Sequence, residues 1–291
     1  MSHPAVRPVA AVYASRPTIE GAGVHLHRAF GFRQGVDLDP FLLLDDFRGD
    51  SPQDYIKGFP WHPHRGIETI TYVLGGDVEH GDSMGNAGSI GAGDVQWMTA
   101  GSGILHQEMP QGDADGRLVG FQLWANLPAR DKMMDPRYRD VAAETIPEVT
   151  TTGGAVARVI AGTVGETRGP VQDIVIDPEY LDVRVPPGAA FEHPTPAEYT
   201  CFAYVIAGAG QFGPEATTCA NRDLVVFGPG NGVQIANPGN DELRFLLVSG
   251  KPLGEPVAWY GPIVMNTDEE LETAYRELEA GTFIKTRGTG M

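Results

Sequence analysis

The sequence predicts an all-β chain of two tandem barrels closed by one helix, and three observations predict it. Apolar residues recur in short runs, many with period two, bounded by Gly, Pro, Asn or Asp; the two halves repeat one another in strand order; and one segment near the end carries helical punctuation. At 291 residues, 42% hydrophobic and 20% charged, the chain can bury one large or two ordinary cores. Gly 38 and Pro 23, scattered at turn-like spacing, fit many short strands rather than a disordered polymer.

In chain order the predicted strands are 67–74, 94–98, 118–125, 155–161, 173–176, 202–206, 224–227 and 243–249. Residues 134–152 lack strand alternation and are expected to connect a domain of residues 1–133 to one of residues 153–291. Near the end, Thr267 is an expected N-cap, Asp268, Glu269 and Glu270 suit the positive end of a helix, and Gly281 stops it. The repeat is explicit. Tyr72-Val73-Leu74-Gly75-Gly76 matches Tyr204-Val205-Ile206-Ala207-Gly208, and Asp94-Val95-Gln96-Trp97 matches Asp223-Leu224-Val225-Val226. Gly101-Ser102-Gly103 then matches Gly230-Asn231-Gly232 at the same interval from the matched aspartates.

Charge and cysteine usage narrow the function classes. Lys+Arg 21 against Asp+Glu 38 gives −17, which repels polyphosphate and anionic lipid and argues against direct nucleic-acid or membrane-surface binding. No stretch approaches the roughly 18 apolar residues of a membrane-spanning helix. Cys201 and Cys219 show neither CxxC spacing nor a basic neighbour, and residues 1–16 contain no apolar run flanked by basic residues, so a reducing cytoplasm is expected.

Two pairs of residues carry chemistry. His62 and His64 bracket Pro63, and His106 and Glu108 bracket Gln107. Residues two apart on an extended strand point to one face, so two such strands meeting inside a barrel offer three imidazoles and a carboxylate to one ion. That donor set suits iron, manganese, nickel, copper or zinc and leaves positions open on a five- or six-coordinate metal. Counting along the repeat, the counterparts of the four are Pro194, Pro196, Ile235 and Asn237, which predicts a metal-free second half. Three further histidines have ordinary readings, His25 and His27 on an exposed strand face and His193 structural, while His80, in a turn-rich segment, is read as a loop residue or, alternatively, as a contact to the ligand set. Phe59, Trp61 and Trp97 flank the ligands, either as walls for a flat aromatic substrate or as barrel core. Gly101 and Gly103 permit the turn that delivers His106.

The run from Gly58 to Thr69 (GFPWHPHRGIET), followed by Gly93 to Met109 (GDVQWMTAGSGILHQEM), resembles the pirin family of bicupins. The resemblance is strong over residues 41–134 and ordered through the rest. It implies two cupin barrels, the first binding metal and the second degenerate, with Fe(II) as the expected ion. It also implies Glu108 rather than Glu68 as the carboxylate ligand, although His62, His64 and Glu68 also satisfy the general cupin pattern. Some pirins resemble quercetin 2,3-dioxygenase in activity, which implies a polyphenol substrate and dioxygen, release of carbon monoxide, and Glu108 doubling as base. The alternative implied by other pirins is a non-catalytic, iron-binding regulator acting on a protein partner.

Overall fold

A computed structural model of the chain describes residues 5–32 and 35–286. Its contacts divide the chain into two compact units. One holds the described residues up to Arg16 with Leu38–Pro40 and Glu144–Pro252; the other holds the described residues of Pro17–Asp37, Phe41–Ala143 and the chain from Leu253 onward.

Each unit pairs a seven-stranded with a four-stranded antiparallel sheet. In the unit carrying most of the first half, the larger sheet runs Arg137–Val141, Val95–Thr99, Ile67–Gly75, Val119–Asn126, Phe41–Asp46, Val24–Phe30, Arg16–Glu20. The smaller runs Phe59–His64, Ile104–Gln111, Asp77–Asp82, Ala87–Ile90. The other unit repeats this plan with Val9–Ala14, Asp223–Phe227, Thr200–Ala207, Leu243–Gly250, Glu179–Val185, Val156–Ala161 and Glu148–Thr150 facing Ala190–Pro194, Gly232–Ala236, Ala209–Phe212 and Thr217–Ala220. Side chains from both sheets fill each interior, as in a jelly roll. In the second barrel Phe191, Phe212 and Phe245 stack edge to face at its centre, with ring centroids 5.6 and 6.0 Å apart.

Three expectations are corrected. Residues 134–152 are not a featureless connection: Arg137–Val141 covers the outer edge of Val95–Thr99, where unpaired backbone groups would otherwise be exposed, and Glu148–Thr150 pairs with Val156–Ala161. Residues 173–176 form no strand; Asp173 and Asp177 take positive φ, 61° and 41°, and bend the chain between them. The helix Asp268–Glu279 begins at Thr267 as expected, with a capping box to Glu270, but it packs in the first-half unit, not the second. There its buried Ala274 meets Ile263 and Met265 of the short strand Ile263–Met265.

Candidate metal centre

The site is assembled where the Phe59–His64 strand pairs with Ile104–Gln111. In that register His106 stands opposite His62 and Ile104 opposite His64, with a bulge before Glu108 reaches Phe59. The three imidazoles converge: ring centroids lie 4.3 Å (His62 to His106), 4.9 Å (His62 to His64) and 5.0 Å (His64 to His106) apart. One ligand atom from each lies within 4.8 Å of the others.

Hydrogen bonding fixes which nitrogen of each ring faces the centre. Nδ1 of His62 lies 2.9 Å from the Pro60 carbonyl, and Nδ1 of His64 lies 3.0 Å from the Pro262 carbonyl. A carbonyl only accepts, so both Nδ1 atoms carry the proton and both Nε2 atoms are left with bare lone pairs. Those Nε2 atoms face each other at 3.1 Å. Without a cation this contact is repulsive, and adding a proton is opposed because burial, and then His62 nearby, push the His64 pKa well down. Two nitrogens bound side by side to one ion at about 2.1 Å would stand about 3.0 Å apart, which is the spacing found. His106 agrees. Both its ring nitrogens are buried without a hydrogen-bond partner, and burial followed by His64 and His62 drives its pKa well below the usual imidazole value. The residues fit a divalent ion.

Glu108 points to the same face as His106 but one rung farther along, outside the group of three imidazoles. Its Oε1 accepts from Thr71 Oγ1 at 2.8 Å, and Gln122 Nε2 lies 3.3 Å from both its oxygens. Glu68 faces away. Gly66, at φ +78°, turns the chain between the two strands, after which Thr69 and Thr71 point inward while Glu68, Ile70 and Tyr72 point out. The buried Glu68 carboxylate instead accepts from Thr99 Oγ1 at 2.7 Å and Trp97 Nε1 at 3.1 Å; burial raises its pKa against those hydrogen bonds.

Other sequence readings resolve similarly. Trp97 belongs to the same face of the large sheet as Glu68, Phe59 packs on the Val24 and Leu26 cluster, and Trp61, 54% exposed, reaches toward Gly81 on the Gln107 side of the small sheet, away from the imidazoles. His25 is exposed and pairs with Asp54 at 3.3 Å. His80 is not in a loop: it sits on strand Asp77–Asp82 opposite Glu108, with Nδ1 bonded to the Tyr138 hydroxyl. The repeat counting is also corrected. Val233 pairs with His193 as Ile104 pairs with His64, so the counterpart of His64 is His193 and that of His62 is Phe191, not Pro196 and Pro194. His193 is bonded to Glu179 at 2.8 Å. Both cysteines are buried, which pushes the Cys201 thiol up to about 12 and Cys219 to about 11, away from reactivity.

Sequence reasoning missed Thr71, Gln122, Trp124 and Pro262. The first two had a signal, since each is a polar residue flanked on its strand by large apolar neighbours, Ile70 and Tyr72 for Thr71, Phe121 and Leu123 for Gln122. Trp124, edge-on to His64 at 5.0 Å, reads as core, and the Pro262 carbonyl acts from 198 residues away with no local trace.

Two tandem barrels of this strand order, one with three imidazoles gathered at its interior, define a bicupin with a metal-type histidine cluster. The chain belongs to the pirin family: the Pirin domain matches residues 23–125 and the Pirin C-terminal cupin domain residues 180–284. It is 42% identical over 279 residues to a pirin-like protein of Caulobacter vibrioides, covering 96% of this chain and 99% of that one. It is 40% identical to pirin of Homo sapiens, covering 89% and 88%. Among solved structures it is similar to quercetin 2,3-dioxygenase from Acinetobacter baumannii, with a TM-score of 0.87 and 32% identity over 96% of this chain and 99% of that one. No helix among the described residues is long and apolar enough to cross a membrane.

Proposed function

We propose that this protein is a metal-dependent dioxygenase that opens flavonol-type substrates such as quercetin with dioxygen and releases carbon monoxide. The observation that carries the reading is the pair of bare Nε2 lone pairs facing each other at 3.1 Å beside the unpartnered ring of His106. His62, His64 and His106 would hold the ion, with Glu108 as the fourth ligand from the same strand face. Fe(II) is the expected metal, and the same donors also suit Mn, Ni, Cu and Zn. Once bound, the ion supplies Lewis acidity that lowers the pKa of a substrate hydroxyl, together with a redox centre for dioxygen chemistry. Glu108 accepts the hydroxyl proton, and Thr71 and Gln122 hold its carboxylate in place for that task. The likeness to the Acinetobacter baumannii enzyme supports this substrate class.

The test is an oxygen electrode coupled to carbon monoxide detection, with quercetin and the Fe(II)-loaded protein. Oxygen uptake with carbon monoxide release, both abolished in His62→Ala, is the expected result. A fully loaded protein inert to polyphenols refutes the enzyme reading; metal-dependent capture of a protein partner would then support the regulatory alternative.

A further inference from the structure

Residues 262–285 touch the metal-ligating strands at more places than packing a helix requires. The Pro262 carbonyl fixes the ring of His64, and the Val264 amide donates to the Arg65 carbonyl at 3.1 Å, so this segment runs beside the ligand strand as a parallel bridge. Val264 approaches so closely that a Cβ on Gly66 would lie 1.9 Å from its carbonyl oxygen. Lys132 Nζ donates to the carbonyls of both Gly66 and Val264, at 2.9 and 3.1 Å.

Arg65 joins these parts. It follows His64 directly and is 2% exposed. Its Nε donates to the Ser102 carbonyl at 2.7 Å, in the turn that leads to His106. Its Nη2 donates to the Phe283 carbonyl at 2.9 Å and pairs with Glu277 at 2.8 Å, while its guanidinium lies 4.2 Å over the Phe283 ring. A buried guanidinium is an expensive way to obtain stability alone, because an apolar side chain of similar volume packs without desolvation. Its planar fork, however, holds two carbonyls and a carboxylate in fixed directions while its face stacks on the Phe283 ring, whereas the donors of a lysine radiate from a single freely rotating centre.

We infer that residues 262–285 form a clamp retaining the metal, and that Arg65 is the positioning residue that ties this clamp to the His62/His64 strand and to the turn before His106. The inference rests on the metal-binding reading above. It means that the tail of the chain, beyond the second barrel, completes the first barrel's site and sets how fast the ion leaves.

The experiment loads the full-length protein with cobalt(II), records its visible ligand-field spectrum, and follows transfer of the ion to EDTA. Arg65→Lys keeps the charge and loses the fork. It is expected to release cobalt at least about tenfold faster than wild type and to alter the spectrum. Glu277→Gln and Phe283→Leu, which remove the ion-pair partner and the stacking ring of Arg65, are expected to speed release by a larger factor than their lowering of the urea midpoint of the metal-free protein accounts for, and they carry the test should Arg65→Lys fail to fold. Unchanged release in these variants overturns the clamp while leaving the metal centre standing. Faster release matched by equal destabilisation of the metal-free protein also overturns it, since Arg65 would then be structural only. A wild type that takes up no cobalt removes both readings together.

Discussion

Acidifying the metal-free protein should destabilise it through the histidine cluster. Burial holds His64 and His106 neutral in the native state, with pKa values well below 6.5, whereas in the unfolded chain each titrates near 6.5. Below that value the unfolded state binds protons that the native state refuses, so stability falls as pH falls; above it both states are neutral and the contribution is absent. Between about pH 7.5 and about pH 5.5 each imidazole then costs about 1.4 kcal/mol, and the two together about 2.7 kcal/mol. Guanidinium unfolding of EDTA-treated protein at the two pH values measures the loss. Carboxylates titrate in the same window, so the diagnostic quantity is the difference between wild type and His106→Leu, whose loss should be smaller by about 1.4 kcal/mol. An equal loss in both proteins would show that His106 is not held neutral by burial and would refute the reasoning.

Glu108→Gln should lower the metal content of purified protein, whereas Glu68→Gln should leave it unchanged and cost about 1–2 kcal/mol of stability through the Thr99 and Trp97 bonds; comparable metal loss in both would reassign the carboxylate. Thr71→Val removes the 2.8 Å donor to Glu108 and should lower kcat/KM with quercetin about tenfold at little cost in fold, measured by oxygen uptake beside a melting curve. Gly66→Ala forces a Cβ against the Val264 carbonyl at φ +78° and should destabilise by more than about 3 kcal/mol; a wild-type denaturation midpoint would contradict the close approach. Metal at a hundredfold its Kd should stabilise the protein by about 2.7 kcal/mol, an increment absent from His106→Leu in calorimetry.

The strand plan was legible because it is written locally, in short apolar runs bounded by turn residues and repeated in order. The i, i+2 spacing likewise put His62, His64 and His106 on shared faces, and the register then brought them together. What the pattern did not carry was nonlocal or backbone-borne. Arg137–Val141 is a strand because it covers an edge, despite a sequence that alternates poorly. The position of His193 opposite Val233 depends on pairing across the sheet, and counting from the tyrosines missed it because the connecting loops differ in length. Glu68 satisfies the cupin spacing after His62 and His64 yet faces away from them, since the left-handed Gly66 resets the face between them. Pro262 contributes a carbonyl, and no side-chain pattern announces a carbonyl.

Elemental analysis of protein purified without a histidine tag goes to the centre of the account. One equivalent of a transition metal per chain, lost on His106→Leu and retained on His193→Gln, is the predicted result. Protein that is devoid of metal even after reconstitution, or that keeps its full complement without His106, would contradict the claim that three imidazoles of the first barrel share a single ion.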